Sequence, residues 1–187
     1  FTSHYAINDG DSVMARSPKP YIPTNKTHVL FVEGEDDKSF FTKIIALNNF
    51  NQNLPEIQVA PPKEFNGKDS KGGVLERLPF LLNQIKDGTI QKLAIVVDAD
   101  YYQEEGGGGL GCQKTIDKIS EMLIPFYFSL DRSITPSNGL IFKNSNNYND
   151  LGLWVMPDNQ RDGMLEDFIK DCIISSERDL FNHAADI

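Results

Sequence analysis

Leu93-Ala94-Ile95-Val96-Val97-Asp98-Ala99-Asp100 is a run of five apolar residues closed by an Asp-x-Asp. A short, wholly apolar, β-rich run with no polar face reads as a buried strand, the kind found in parallel sheets covered by helices on both sides. Upstream, Val29-Leu30-Phe31-Val32 has the same character and ends in Glu33-Gly34. After that turn, Glu35 to Ile45 places Phe40, Phe41, Ile44 and Ile45 at helical spacing, with three acids in the first turn where the helix dipole favours them. This is strand, sharp turn, helix.

The same alternation continues along the chain. Ile57-Gln58-Val59 is a candidate short strand. Gly72 to Lys86 is an amphipathic helix carrying Val74, Leu75, Leu78, Leu81, Leu82 and Ile85. Lys114 to Leu123 is a further helix, preceded by the glycine-rich stretch Gly106 to Gly111. Leu151 to Met156 is a strand broken by Pro157-Asp158-Asn159, and Met164, Leu165, Phe168 and Ile169 mark a last helix. Ser129 to Asp150 is rich in Ser, Asn, Asp and Pro, with an apolar Leu140-Ile141-Phe142 inside it. Strands alternating with helices predict an α/β fold with a mostly parallel central sheet flanked by helices, and an active crevice beyond the carboxyl ends of the strands. Residues 1–25 show no periodicity and read as an N-terminal extension or cloning remnant, leaving 26–187 as one domain.

Composition narrows the function. The 187 residues are 40% hydrophobic and 24% charged, as in ordinary globular chains. No stretch approaches the roughly 20 apolar residues that span a bilayer, so no membrane partner is expected. Two cysteines, Cys112 and Cys172, are too few for a disulfide scaffold and fit the reducing cytoplasm. The formal net charge of −9 opposes unaided attraction to nucleic acid. A chain like this handles phosphates only with a cation or a local basic patch.

The acids fall where that need arises. Glu33 ends one strand, and Asp98 and Asp100 end another. Asp37, four residues after Glu33, projects beside it if the helix begins at the turn. Gathered together, such carboxylates repel, at roughly 4 kcal/mol for a pair 4 Å apart at an effective dielectric of 20. Either their pKa values rise or a hard divalent cation binds, and Mg²⁺ with carboxylate ligands suits phosphoryl transfer. Acids after strands also arise simply because strand ends are solvated and helix N-termini favour anions.

Val32-Glu33-Gly34-Glu35-Asp36-Asp37 followed by Asp98-Ala99-Asp100 resembles the Toprim domain of topoisomerases, bacterial primases, ribosomal-RNA maturases and overcoming-lysogenization-defect (OLD) nucleases. Trp154-Val155-Met156-Pro157-Asp158-Asn159 and Asp162-Gly163-Met164-Leu165-Glu166-Asp167-Phe168 are similar to a small prokaryotic Toprim-related family. The resemblance implies a Toprim-like fold and a Mg²⁺- or Mn²⁺-dependent nuclease or phosphodiesterase acting on DNA or RNA. It makes Glu33 a metal ligand or general acid/base and Asp98 and Asp100 metal ligands. It places Asp37 where OLD-type nucleases often carry a second acid, implying a second ion, and matches Glu166 to a later acid of that group. Tyr101-Tyr102-Gln103 departs from the continuation usual in topoisomerases and maturases. OLD proteins carry an ATPase, and no Gly-x4-Gly-Lys-Ser/Thr occurs here, so the resemblance implies a separate ATPase or other protein partner. A Toprim domain also serves as a non-hydrolytic binding or assembly module, which is the main rival.

A third reading makes Asp98 the nucleophile and Asp100 the general acid of a haloacid-dehalogenase-type phosphatase, with Lys143 and Asp158 as its later lysine and acid; Tyr102 stands where that family prefers Thr or Val. The remaining signals are weaker. Cys112-Gln113 separates Gly111 from Lys114-Thr115, which spoils a P-loop and leaves a flexible loop or lid. His4, His28 and His183 share no zinc-ligand spacing. Trp154 is expected to pack in the core. Asp158, Asp162, Glu166 and Asp167 surround a helix start, where acids cap and offset the dipole. Lys63, Lys68 and Lys71 are expected as solvated lysines of the loop after the second strand, within reach of a nucleic-acid backbone.

Overall fold

The computed structural model describes residues 27–48, 54–60, 70–103, 109–173 and 177. The N-terminal segment 1–25, His4, His183, Lys63, Lys68 and Gly106 lie outside them. The elements are β1 (His28–Val32), α1 (Glu35–Leu47), β2 (Glu56–Val59), α2 (Ser70–Lys86), β3 (Lys92–Asp98), α3 (Cys112–Leu123), β4 (Phe128–Leu130), β5 (Leu140–Asn144), β6 (Leu151–Met156) and α4 (Leu165–Cys172). They build one six-stranded sheet in the order β2-β1-β3-β6-β5-β4. β2, β1, β3 and β6 are mutually parallel, while β5 runs antiparallel to both β6 and β4. The expected α/β sheet flanked by helices is therefore present.

Both faces of the central strands are apolar because both are covered. Val29, Phe31, Leu93, Ile95, Val97, Leu151, Leu153 and Val155 point to one face. There they pack under Val74, Leu78, Leu81 and Leu82 of α2 and Ile116, Ile119 and Leu123 of α3. Val32, Val96 and Met156 point to the other face, against Phe40 and Phe41 of α1 and Leu165, Phe168 and Ile169 of α4. This alternation explains the unbroken apolar run of β3. Trp154 lies on the second face only half-buried, because the short α4 leaves an apolar groove of about 400 Å³ there. It packs from there against the cluster of Val32, Val96 and Met156.

Ser129 to Asp150 carries most of two further strands. β4 and β5 pair across it with Phe128 opposite Asn144 and Leu130 opposite Phe142, and β5 adds to β6 through Leu140 with Leu153. Its polar residues make the turns: Asp131 accepts from Ser133 N at 2.9 Å, and Asn144 Nδ2 donates to Phe126 O at 2.9 Å.

Ile95, in the middle of the sheet, is wholly buried. Ile95→Ala is expected to lower unfolding free energy by about 2–5 kcal/mol. Leu47→Ala, at a residue 76% exposed, should shift it by no more than about 0.5 kcal/mol. Urea denaturation checks both, and equal losses would contradict this assignment of the core.

Candidate functional site

β1 and β3 are parallel neighbours, so Glu33 and Asp98 emerge from the same edge of the sheet. Registered pairing between the strands ends at Phe31 with Ile95, and beyond it the Glu33 side chain carries the link: Asp98 N donates to Glu33 Oε1 at 3.0 Å. Asp98 is held in turn by the start of α4, where Leu165 N donates to Asp98 Oδ1 at 3.0 Å. Asp37 sits in the first turn of α1 and accepts from Gly34 N through Oδ2 at 2.9 Å. Two helix N-termini and one strand amide thus each hold one carboxylate, which is how backbone N–H groups stabilise anions.

Burial still dominates. It pushes the Glu33 carboxyl up to about 8; Asp98 and Asp100 add to the rise, and Lys71 and the Asp98 amide oppose it. It pushes Asp98 up to about 7, with the negative charges of Asp37, Asp100 and Glu166 adding to the rise and the Leu165 amide opposing it. Asp37 is also raised, first by burial, with Glu166 and Asp36 contributing, while its amide bonds pull the other way. Glu166 is exposed on the outer side of α4, yet its charge is felt at both Asp37 and Asp98. The five acids expected at the site, Glu33, Asp37, Asp98, Asp100 and Glu166, therefore form one electrostatically connected group. Phe40 of α1 meets Phe168 of α4 edge-on at 6.0 Å, which fixes the two helices that carry Asp37 and Glu166.

Asp100 is arranged differently. Lys71 is not a solvated loop lysine; it lies in the first turn of α2 with its side chain 8% exposed. Its Nζ contacts Asp100 Oδ2 at 2.5 Å and donates to Ala99 O at 3.1 Å. A buried lysine needs a partner of this kind. The sequence offered no signal for it beyond a lysine one turn ahead of an apolar helix face.

The backbone around Asp100 is tightly specified. Asp100 has φ +58° and bridges to Gly163 through paired amide–carbonyl bonds of 2.9 and 3.3 Å. Gly109 packs against it: a Cβ added at Gly109 would fall 2.0 Å from Asp100 Cβ. The described end of the glycine-rich stretch is therefore docked on the Asp-x-Asp rather than swinging free. Asp162 reinforces this by accepting from Tyr102 N at 3.2 Å and Cys112 N at 2.7 Å. Lys114, the lysine of the near-miss P-loop, lies 4.0 Å over the Tyr102 ring.

The other tail acids are structural. Asp167 Oδ2 accepts from Met164 N and caps α4. Asp158 accepts from Gln160 N and Arg161 N and pairs with Arg161. Buried Asn159 accepts from Val155 N at 2.6 Å and donates to Pro136 O at 2.9 Å. Lys143 pairs with Asp150 beyond the start of β6, at the end of the sheet opposite Asp98. It cannot serve Asp98 as the lysine of a phosphatase.

A family model described as a protein of unknown function, DUF3226, matches residues 27–187. The chain belongs to that family. No curated protein and no solved structure matches the chain. The family's span takes in every element from β1 to α4, and so the whole acidic group.

Glu33 and Asp98 predict a specific pH dependence. A carboxyl whose native pKa exceeds its unfolded value binds more protons when folded, so stability falls as pH rises between the two values. The windows run from 4.5 to about 8 for Glu33 and from 3.8 to about 7 for Asp98. Without divalent ions, the urea midpoint should drop between about pH 5 and 8, and Glu33→Gln should flatten most of that slope. A wild-type midpoint constant across this range would refute the electrostatic description.

Proposed function

We propose that this protein is a divalent-cation-dependent phosphodiesterase acting on nucleic acid, with a Toprim-like site at the carboxyl ends of β1 and β3. One observation carries the reading. Glu33 and Asp98 come from adjacent parallel strands, each is held through one oxygen by a backbone amide, and each keeps a second oxygen without a hydrogen-bond partner among the described residues. Glu33 and Asp98 are both partly exposed, and among the described residues the buried side-chain polar atom without a partner is Thr115 Oγ1.

The donors fit a hard cation: all are carboxylate oxygens, the ligand chemistry of Mg²⁺ and Mn²⁺. Among the described residues no group of three or more His, Cys, Asp or Glu is placed to hold a metal ion, so the two carboxylates would leave most of the ion's coordination to water and substrate. Glu33 and Asp98 would hold the ion, with Asp37 and Glu166 adding negative charge beside it. Bound there, the ion would supply electrophilic stabilisation to phosphoryl oxygens. Without it, a chain of net charge −9 repels a polyanion.

The residues themselves do the rest. Glu33, at about 8, carries a proton near neutral pH, and Asp98 carries one part of the time. With Glu33 Oε1 taken by the Asp98 amide, Oε2 is the oxygen left for the ion, which would displace that proton on binding. The phosphatase reading is less well supported, because Lys143 is at the wrong end of the sheet. The free thiols Cys112 and Cys172 suit a reducing cytoplasm. Among the described residues no helix is long and apolar enough to cross a membrane.

Mn²⁺ titration by calorimetry, followed by hydrolysis assays on single- and double-stranded DNA and RNA, tests the reading. Wild type should bind Mn²⁺, and Glu33→Gln and Asp98→Asn should abolish binding and cut hydrolysis by at least about 100-fold. Binding without hydrolysis of any substrate would favour the assembly-module alternative, working with a separate ATPase or another protein.

A further inference from the structure

We propose that Lys71 is a built-in cation that neutralises Asp100 and withdraws it from ion binding, so that the site takes its divalent ion on the Glu33–Asp98 side alone. This rests on the reading that Glu33 and Asp98 bind such an ion, and it departs from the expectation that both acids of Asp98-Ala99-Asp100 are ligands.

Geometry supports the assignment. Lys71 Nζ is buried and donates to the Asp100 carboxylate on one side and the Ala99 carbonyl on the other. The ammonium therefore occupies the Oδ2 side of Asp100 and neutralises its charge. Neither partner can easily move away. Asp100 is pinned by its bridge to Gly163 and by the close approach of Gly109, which leaves no room even for a methyl group. Lys71 is carried on α2, whose Val74 and Leu78 are wholly buried beneath the sheet. By contrast, Glu33 and Asp98 each accept one backbone amide, which satisfies one oxygen and supplies no paired cation. The same edge of the sheet thus holds one carboxylate already paired with a fixed cation and two that are not.

The charge of Lys71 reaches further than its contact. It is felt at Glu33, where it favours the ionised form. A fixed positive charge beside the site also opposes a second divalent ion directly. Lys71 is therefore a positioning residue: it sets how many ions the site accepts and which carboxylates they meet.

The test is Mn²⁺ calorimetry on the full chain as wild type, Asp100→Asn, Lys71→Met and the Lys71→Met/Asp100→Asn double variant, each checked for folding by thermal unfolding without metal. Since Asp100 is not a ligand, wild type and Asp100→Asn should both bind one ion, the variant up to about tenfold more weakly because Lys71 is left unpaired beside the site. Lys71→Met should gain either a second ion or at least about tenfold tighter binding, since it releases Asp100 and removes an opposing charge. The double variant should lose that gain. A merely structural lysine would change the melting temperature and leave stoichiometry alone. Loss of binding in Asp100→Asn, or no gain in Lys71→Met, would overturn the inference while leaving the Glu33–Asp98 reading intact. Binding by Lys71→Met but not by wild type would uphold the inference and overturn that reading. Binding by neither would overturn both. If Lys71→Met does not fold, the comparison of wild type with Asp100→Asn decides.

Discussion

Carboxylates gathered at one end of a sheet must be held against their own repulsion, and the described structure around β1, β3 and α4 is organised by how that is done. The central element is the hydrogen bond from Asp98 N to Glu33 Oε1, which continues the β1–β3 ladder with a side chain after the backbone pairing stops. A hydrogen bond to a neutral carboxyl contributes roughly 0.5–1.5 kcal/mol. It joins the ends of two buried strands and fixes where both acids point. From it follow the position of α4, whose first amide must reach Asp98, and that of α1, whose first turn must follow immediately on Glu33. The Phe40–Phe168 contact then closes the two helices over the second face of the sheet.

Much of this could be read from the residues. Two unbroken apolar runs ending in acids located β1 and β3 and their parallel pairing, because a strand buried on both faces has no reason to alternate. The helices followed from 3.6-residue spacing, and the convergence of Glu33, Asp37, Asp98 and Asp100 from the rule that parallel strands end on the same side. What escaped was whatever depends on contact between distant segments. β4 and β5 are short and polar at their ends, and only their addition to β6 makes them strands. Lys71 has a structural meaning only because Asp100 lies beside it, 29 residues along the chain. Asp162 could be recognised as an acid before a helix, but not as the residue that holds the amides of Tyr102 and Cys112.

The glycines show why composition misled. A run rich in glycine reads as flexible because glycine permits many conformations. At Gly109 the reason is the opposite: only a residue without a side chain fits against Asp100, itself in a left-handed conformation that acidic and amide residues tolerate better than most. Gly163 has the same role across the Asp100 bridge, where an added Cβ would lie 2.7 Å from Asp167 Oδ2. These two glycines allow the chain to pass close on both sides of the Asp-x-Asp and keep Asp100 aimed at Lys71.

The magnitudes show why the acids are not all treated alike. A helix N-terminus stabilises a carboxylate by about 0.3–1 kcal/mol, less than the roughly 4 kcal/mol of repulsion between a close like-charged pair. Amide bonds alone cannot keep five neighbouring carboxylates ionised. Two other routes are open, and the structure uses both. Asp100 receives a fixed cation, which satisfies it permanently. Glu33 and Asp98 receive none and hold protons instead, so that their charge depends on what else is present. A proton on Glu33 or Asp98 is held reversibly and can be displaced by a cation arriving from solvent, whereas Lys71 cannot leave α2. The difference between a carboxylate paired with lysine and one paired with a proton is thus the difference between a part of the scaffold and a part of the site.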